Sequence, residues 1–396
     1  GLAFGDERRV KPHRVQVKRL PLSKLSVGRD NPVVLQVKSA NQRAKIRLRD
    51  SYPLEFPVST QTFQAILEPN QTQVLIYTIH PQHRGEFHWG DIYIRQLSPW
   101  GLAWHHWTVP TPQTVAVYPD LVGLRSLSIR LTLENTGTMR QAKRLGQGTE
   151  FAELREYRVG DDTRIIDWKA TARRSRPVVR VLEPEQEQTL IILLDRGRLM
   201  TAQVQGMKRF DWGLNATLSL ALAGLNRGDF VGVGVFDREI TTWIAPKRGQ
   251  YHLSHLIERL TPIQPVLWEP DYMGAVTRLV NQQTRRALVV VITDIVDVTA
   301  SAELLAALGR LTPRYLPFCV TLRDPQVDRI AHTLSPAQDG IQAAYRRAVA
   351  LDLLAQREVA FAQLKQRGVF ILDAPAHQIS EPLVNRYLQL KARNLL

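Results

Sequence analysis

The chain has 396 residues, 44% hydrophobic and 22% charged, with a formal net charge of +15. That length accommodates two or three domains with cores of their own, and the composition excludes a disordered or fibrous chain. One cysteine, Cys319 in the apolar run LPFCV, excludes an internal disulfide framework and reads as an inert thiol in a reducing compartment.

The longest apolar runs, such as ALVVVI, fall far short of the ~20 residues a membrane helix needs. The positive charge suits an anionic surface or an acidic protein partner. It is spread along the chain without an RNP, zinc-finger or helix-turn-helix pattern, which argues against nucleic acid.

From about Gln16 to Tyr118 the sequence alternates apolar and polar residues in short runs. NPVVLQVKSA, AKIRLRDSYP, TQVLIYTIHP and GDIYIRQLSP are each bounded by turn formers, which predicts an antiparallel sandwich of immunoglobulin-like character over residues 1–119. Residues 120–187 read as a connecting segment. From 188 to 396 strands alternate with helices. TLIILLD and ALVVVITD are continuous apolar strands ending in an acid, FVGVGVF and ITTWIAP are adjacent strands, and YLPFCVTL and GVFILDAP complete six. Such an order predicts a doubly wound α/β sheet.

Three stretches offer chemistry. Asp195 and Asp294 end buried strands, where open α/β sheets bind ligands, and two such acids are suited to Mg²⁺. Their setting resembles a von Willebrand factor A domain, in which an Asp-x-Ser-x-Ser strand end, a Thr and a second Asp hold the metal. Here Gly197 and Leu199 replace the two serines, and Thr277, the nearest threonine for the middle element, lies inside an expected helix. The competing reading has the two acids capping turns and pairing with Arg196 and Arg198. His80, His83 and His88 in HPQHRGEFH have the close spacing of zinc ligands, but they straddle a hairpin turn with no fourth donor. Gly232 and Gly234 lie within a strand, so close packing of a helix against the sheet, rather than phosphate cradling, accounts for them.

The third stretch, REYRVGDDTRIIDWKATARR, has neither helical nor strand periodicity. Asp161, Asp162 and Asp167, with Lys169 or Arg164, could serve a metal-dependent hydrolase as paired carboxylates and anion stabilisers. The alternative is an ion-pair network. Gly160-Asp161-Asp162 would form a turn, Trp168 and Ile166 an apolar anchor, and Arg155, Arg158, Arg173, Arg174 and Arg180 would pair with Glu153, Asp167, Glu183 and Glu185. Residues 150–187 hold eight Arg or Lys against nine Asp or Glu, a balance that favours internal pairing and a clasp between the two domains.

These residues carry a resemblance. Glu150-Phe151, Leu154-Arg155, Tyr157, Gly160-Asp161-Asp162, Arg164, Ile166-Asp167-Trp168-Lys169, Thr171-Ala172-Arg173 and Leu194-Asp195 resemble the signature of the bacterial domain-of-unknown-function 58 family. SPWGLAW…VAVYPDL and LVNRYLQLKAR are similar to its flanking segments. The resemblance implies a β-sandwich, the signature segment and a von Willebrand A-like domain, preceded by a membrane anchor on the cytoplasmic face of the bacterial inner membrane. It implies a non-enzymatic adaptor that works with a MoxR-type AAA+ ATPase on a client protein, in assembly or maturation of complexes. With zinc at the histidines set aside, Mg²⁺ at Asp195 and Asp294 is the one cofactor these residues leave open.

Overall fold

The computed structural model describes residues 5–6, 10–144, 152–182, 188–296, 298–333 and 340–393. The N-terminal part is a β-sandwich built from three small sheets. Strands Gln16–Arg19, Asn31–Lys38 and Thr72–Ile79 form one. Leu25–Ser26, Gln113–Tyr118 and Gly85–Trp89 form the second, and Phe63–Leu67, Ala44–Asp50, Ile92–Leu97 and Trp104–Val109 the third. Residues along Ala44–Asp50 alternate strictly between buried and exposed, because successive side chains of a strand face opposite ways. Val33, Leu35, Val37, Ile46 and Leu48 thereby reach one common core with Tyr77 and Trp89.

That core also holds an ion pair. Arg19 donates to Asp50 through Nε at 3.0 Å, and the Tyr77 hydroxyl donates to the same carboxylate at 2.7 Å. Burying two charges is tolerable only when each is paired and further hydrogen-bonded. Here Arg19 also reaches the carbonyls of Gly90 and Thr111.

The C-terminal part is an α/β unit. Its six strands run in the order Ile240–Lys247, Phe230–Phe236, Thr189–Asp195, Leu288–Thr293, Leu316–Arg323, Phe370–Pro375. All neighbours are parallel except the first, an antiparallel edge. Thr189–Asp195 explains why its sequence is apolar throughout. Leu190, Ile192 and Leu194 enter a core on one face, while Ile191 and Leu193 enter a separate core on the other. A strand covered on both faces has no polar side to show.

Gly232 and Gly234 report close approach within the sheet. A Cβ on Gly232 would stand 2.9 Å from Pro246, and one on Gly234 would stand 2.8 Å from Leu193. Close packing is thus their role, though strand neighbours impose it rather than a helix.

The segment expected as a connector begins with a 24-residue helix, Leu121–Arg144. It lies along the helix Arg209–Asn226 and contributes Leu124 and Leu131 to the α/β core. Physically this helix is part of the α/β packing. The two halves are joined by another set of side chains. Arg84, on a sandwich loop, donates to Asp211 of the helix Arg209–Asn226 at 2.6 Å and to the Ile263 carbonyl at 2.7 Å. Both partners are buried, and the guanidinium lies over Phe210. Met207 sits inside the sandwich core, while Trp212 packs against both cores.

Candidate functional site

The carboxyl edge of the α/β sheet carries the predicted pair. Asp195 is fully buried, accepts from the Gly197 backbone N–H at 2.6 Å and from the Thr293 hydroxyl at 2.7 Å, and so closes the turn after its strand. The Tyr272 hydroxyl stands 2.9 Å from Thr293. Burial pushes the Asp195 carboxyl up to about 7; its two donors oppose that shift, and neighbouring Asp294 adds to it.

Asp294 is bound by two buried guanidiniums, Arg357 at 2.8 Å and Arg209 at 3.4 Å. Arg357 continues to Asp373 at 2.7 Å, and Asp373 also takes Arg323 and Thr321, each at 2.8 Å. Burial works against the Arg357 charge, but Asp294 and Asp373 outweigh it and hold its pKa above the ordinary value.

This donor set does not fit the expected Mg²⁺. A hard divalent cation needs several oxygens free to turn toward it. Of the two carboxylates, one is sealed by its own turn and favours its proton, and the other faces two fixed cations. Thr277, the candidate for the middle element of the metal motif, bonds the Met273 carbonyl and accepts from Arg310 on an exposed helix face. The expected pairing with Arg196 and Arg198 is also revised. Arg196 takes Asp237 and Arg198 takes Glu269, leaving Asp294 to arginines remote in sequence. Among the described residues no group of three His, Cys, Asp or Glu gathers as a metal site. His80 lies beside Asp30 and His88 beside Thr114, so the turn keeps them apart. Cys319 is buried, and burial pushes its thiol up to about 12.

The signature residues form a separate small unit. Ala152–Glu156 and Val178–Leu182 pair as an antiparallel hairpin, and the chain between them makes two capped helical turns. Gly160, at φ +111°, permits the sharp reversal. Asp161 then locks it, accepting both Arg155 nitrogens at 2.7 and 2.6 Å and the Arg158 N–H at 2.7 Å. The Arg155 guanidinium, followed by that N–H, holds the Asp161 carboxyl down at about 2. Asp162 caps the short turn Thr163–Ile165 and meets the Arg164 side chain at 3.2 Å. Asp167 caps the helix Trp168–Arg174 through the Ala170 N–H, and Tyr157 N–H bonds the Pro177 carbonyl. Each acid thus has a local structural task.

Two expectations change. Trp168 is not an apolar anchor: it is 71% exposed, as the first residue of a helix with no buried position. Nor do the described ion pairs of this unit clasp two domains. Arg155–Asp161, Arg164–Asp162 and Arg176–Glu156 all close within the unit, while Arg84, Met207 and Trp212 make the junction. Lys169 and Arg173 are exposed. Glu150, Glu183 and Glu185 lie outside the described residues, as do the side chains of Glu153 and Arg180. Arg84 was missed in sequence because it stands among the histidines of HPQHRGEFH, where metal spacing drew attention away from a lone arginine.

Residues 153–338 match the family model described as protein of unknown function DUF58. Uncharacterized protein Rv1480 of Mycobacterium tuberculosis is 24% identical over 38% of this chain and 48% of its own length. Uncharacterized protein YeaD of Bacillus subtilis is 23% identical over 56% of this chain and 54% of its own. The chain thus spans about half the length of the curated relatives it matches. Among solved structures, conserved hypothetical protein BatB from Bacteroides thetaiotaomicron aligns over 52% of this chain and all of its own, at 16% identity and a TM-score of 0.34. An aerotolerance-related membrane protein from Bacteroides fragilis aligns over 50% of this chain and 99% of its own, at 15% identity and a TM-score of 0.32.

Proposed function

This chain belongs, over residues 153–338, to the DUF58 family, and from that premise we propose a non-enzymatic interaction protein that docks its partner on the unit at 152–182. The observation that carries the reading is the 71% exposure of Trp168. Large aromatic side chains left in water are what protein interfaces use as anchors. Val159 is fully exposed on the same unit, with Arg158, Lys169, Arg173 and Arg174 also exposed. Beneath them the Asp161 and Asp167 bonds fix the backbone, so little ordering is lost on binding. An acidic partner surface with an apolar recess complements this unit.

The family resemblance names a MoxR-type AAA+ ATPase as that partner, with assembly or maturation of protein complexes as the shared task. It also supports a von Willebrand A-like description of the α/β unit, in which the polar edge is structural. A position at the cytoplasmic face of the membrane rests on the same resemblance and on the net charge of +15. Among the described residues no helix is long and apolar enough to cross a membrane. The hydrolase reading gains no support from the cluster: Asp161 is held down at about 2, and Asp162 and Asp167 serve as caps. Pull-down of the whole chain with the ATPase, with and without ATP and Mg²⁺, tests the proposal. Retention supports it, and no retention under any of these conditions rejects the partnership.

A further inference from the structure

The sandwich presents a second basic surface, distant in sequence from the unit at 152–182. In the strand Ala44–Asp50 the buried alternate residues are Ile46, Leu48 and Asp50, so Lys45, Arg47 and Arg49 face outward. The neighbouring strand Ile92–Leu97 buries Ile92 and Ile94, and turns Tyr93 and Arg95 outward. Register then sets Arg47 directly opposite Arg95, and Arg49 opposite Tyr93. On the next strand His106 lies opposite Arg95 and Thr108 opposite Tyr93.

Like charges directly opposite one another in a sheet destabilise it. A carboxylate nearby would relieve that repulsion. Among the described residues none pairs with Lys45, Arg47, Arg49 or Arg95, and Asp50 points inward to Arg19 and Tyr77. Arg47 rests over Trp104, with its guanidinium carbon 4.9 Å from the ring centroid. The surface is concave: an open groove of ≈ 810 Å³ is lined by Arg47, Arg49, Arg95, Tyr93, His106 and Thr108 among others.

From this arrangement we infer that the groove binds a phosphate-bearing anion, with Arg47, Arg49 and Arg95 as its anchoring cations. The three guanidiniums come from adjacent positions on one face, with Cβ atoms of an opposed pair about 5 Å apart. All three line the same groove, so an anion seated in it is within reach of more than one guanidinium. A tetrahedral phosphate offers several acceptor oxygens there, matching more than one guanidinium fork, whereas a single carboxylate offers two. The groove volume lies within the range of small-ligand sites. Tyr93 supplies an apolar wall and Thr108 a hydroxyl. Phosphate of this kind comes either from a soluble phosphate ester or from an anionic lipid headgroup.

The test uses the whole chain with two probes: calorimetry with inorganic pyrophosphate, and co-sedimentation with phosphatidylglycerol vesicles against phosphatidylcholine alone. At least one probe binds, and Arg47→Gln/Arg95→Gln weakens it about tenfold or more. The control Arg125→Gln/Arg259→Gln removes equal charge from exposed helix positions elsewhere and stays within about twofold. Pyrophosphate binding identifies a soluble ligand, and binding to anionic vesicles alone identifies a headgroup. Loss of a like-charge pair leaves the melting temperature unchanged or raised; should the double variant melt early, Arg49→Gln reads the same loss. Binding of neither probe, or equal losses in both double variants, overturns the inference.

Discussion

At the carboxyl edge of the α/β sheet, Asp195, Asp294 and Asp373 are enclosed by Thr293, Arg209, Arg357 and Arg323. In the unit at 152–182, Asp161, Asp162 and Asp167 use the same kinds of bond to shape a surface that stays in water. Aspartate beside arginine occurs in both places, yet burial gives the two regions opposite consequences. In the sheet edge each charge depends on its partner, because a buried ion left alone has no water to replace it. In the exposed unit water substitutes freely, so the bonds set conformation and contribute little to stability.

The largest effect expected from this contrast is at Arg357. Arg357→Met leaves Asp294 and Asp373 without a shared buried cation and costs about 3–5 kcal/mol. Thermal unfolding should report a fall of roughly 10 °C. A variant that melts within a degree or two of the parent would remove the distinction between the regions.

Asp195 sharpens the comparison through pH. Its carboxyl is raised to about 7 in the folded chain from an ordinary value of 3.8, so the folded state holds the extra proton between those limits. The stability linked to that proton is fully present below about pH 4 and is lost as pH rises through about 7. Asp195→Asn should flatten that part of the stability curve and be the more stable form above pH 7, by at most about 4 kcal/mol. Urea unfolding at a series of pH values measures it. Loss of stability at every pH would mean that the carboxylate itself is required.

Asp161 should behave in the opposite sense and more weakly. Its pKa is held at about 2, so the associated stability is present above the ordinary carboxylate range and lost as pH falls toward 2. Asp161→Asn removes that acid limb: its cost appears at neutral pH, is small because the group is near the surface, and vanishes near pH 2. Acid titration followed by tryptophan fluorescence separates the two aspartates by the direction of their pH windows.

Much of the fold was legible in the sequence, since apolar periodicity depends on local burial. TLIILLD announced a strand covered on both faces, and AKIRLRD announced one covered on a single face. The helix Leu121–Arg144 was missed because its apolar residues do not keep to one face: Leu124 and Leu131 reach the core, while Val122, Ile129 and Leu133 stay exposed and blur the helical period. The sites were less legible. Asp195 and Asp294 could be placed at strand ends, and the Asp195 turn through Gly197 is local, but the Asp294 partners come from far along the chain: Arg357 is 63 residues beyond it. Nothing in the local sequence of Arg357 or Arg84 marks either as a buried cation. Trp168 was misjudged for a related reason: an aromatic residue reads as core unless one knows that no second layer covers it.

The smallest stability change, and the decisive binding change, should come from Trp168→Ala. Its folding free energy should move by no more than about 0.5 kcal/mol, as for an exposed surface position. The most direct test measures the affinity of the proposed partner, a MoxR-type AAA+ ATPase, for the whole chain, for Trp168→Ala and for Asp195→Asn, at matched melting behaviour. The account predicts at least about a tenfold loss for Trp168→Ala, with Asp195→Asn binding as the parent does. Unchanged binding by Trp168→Ala together with its loss in Asp195→Asn would contradict it, and would return the partner site to the edge of the sheet.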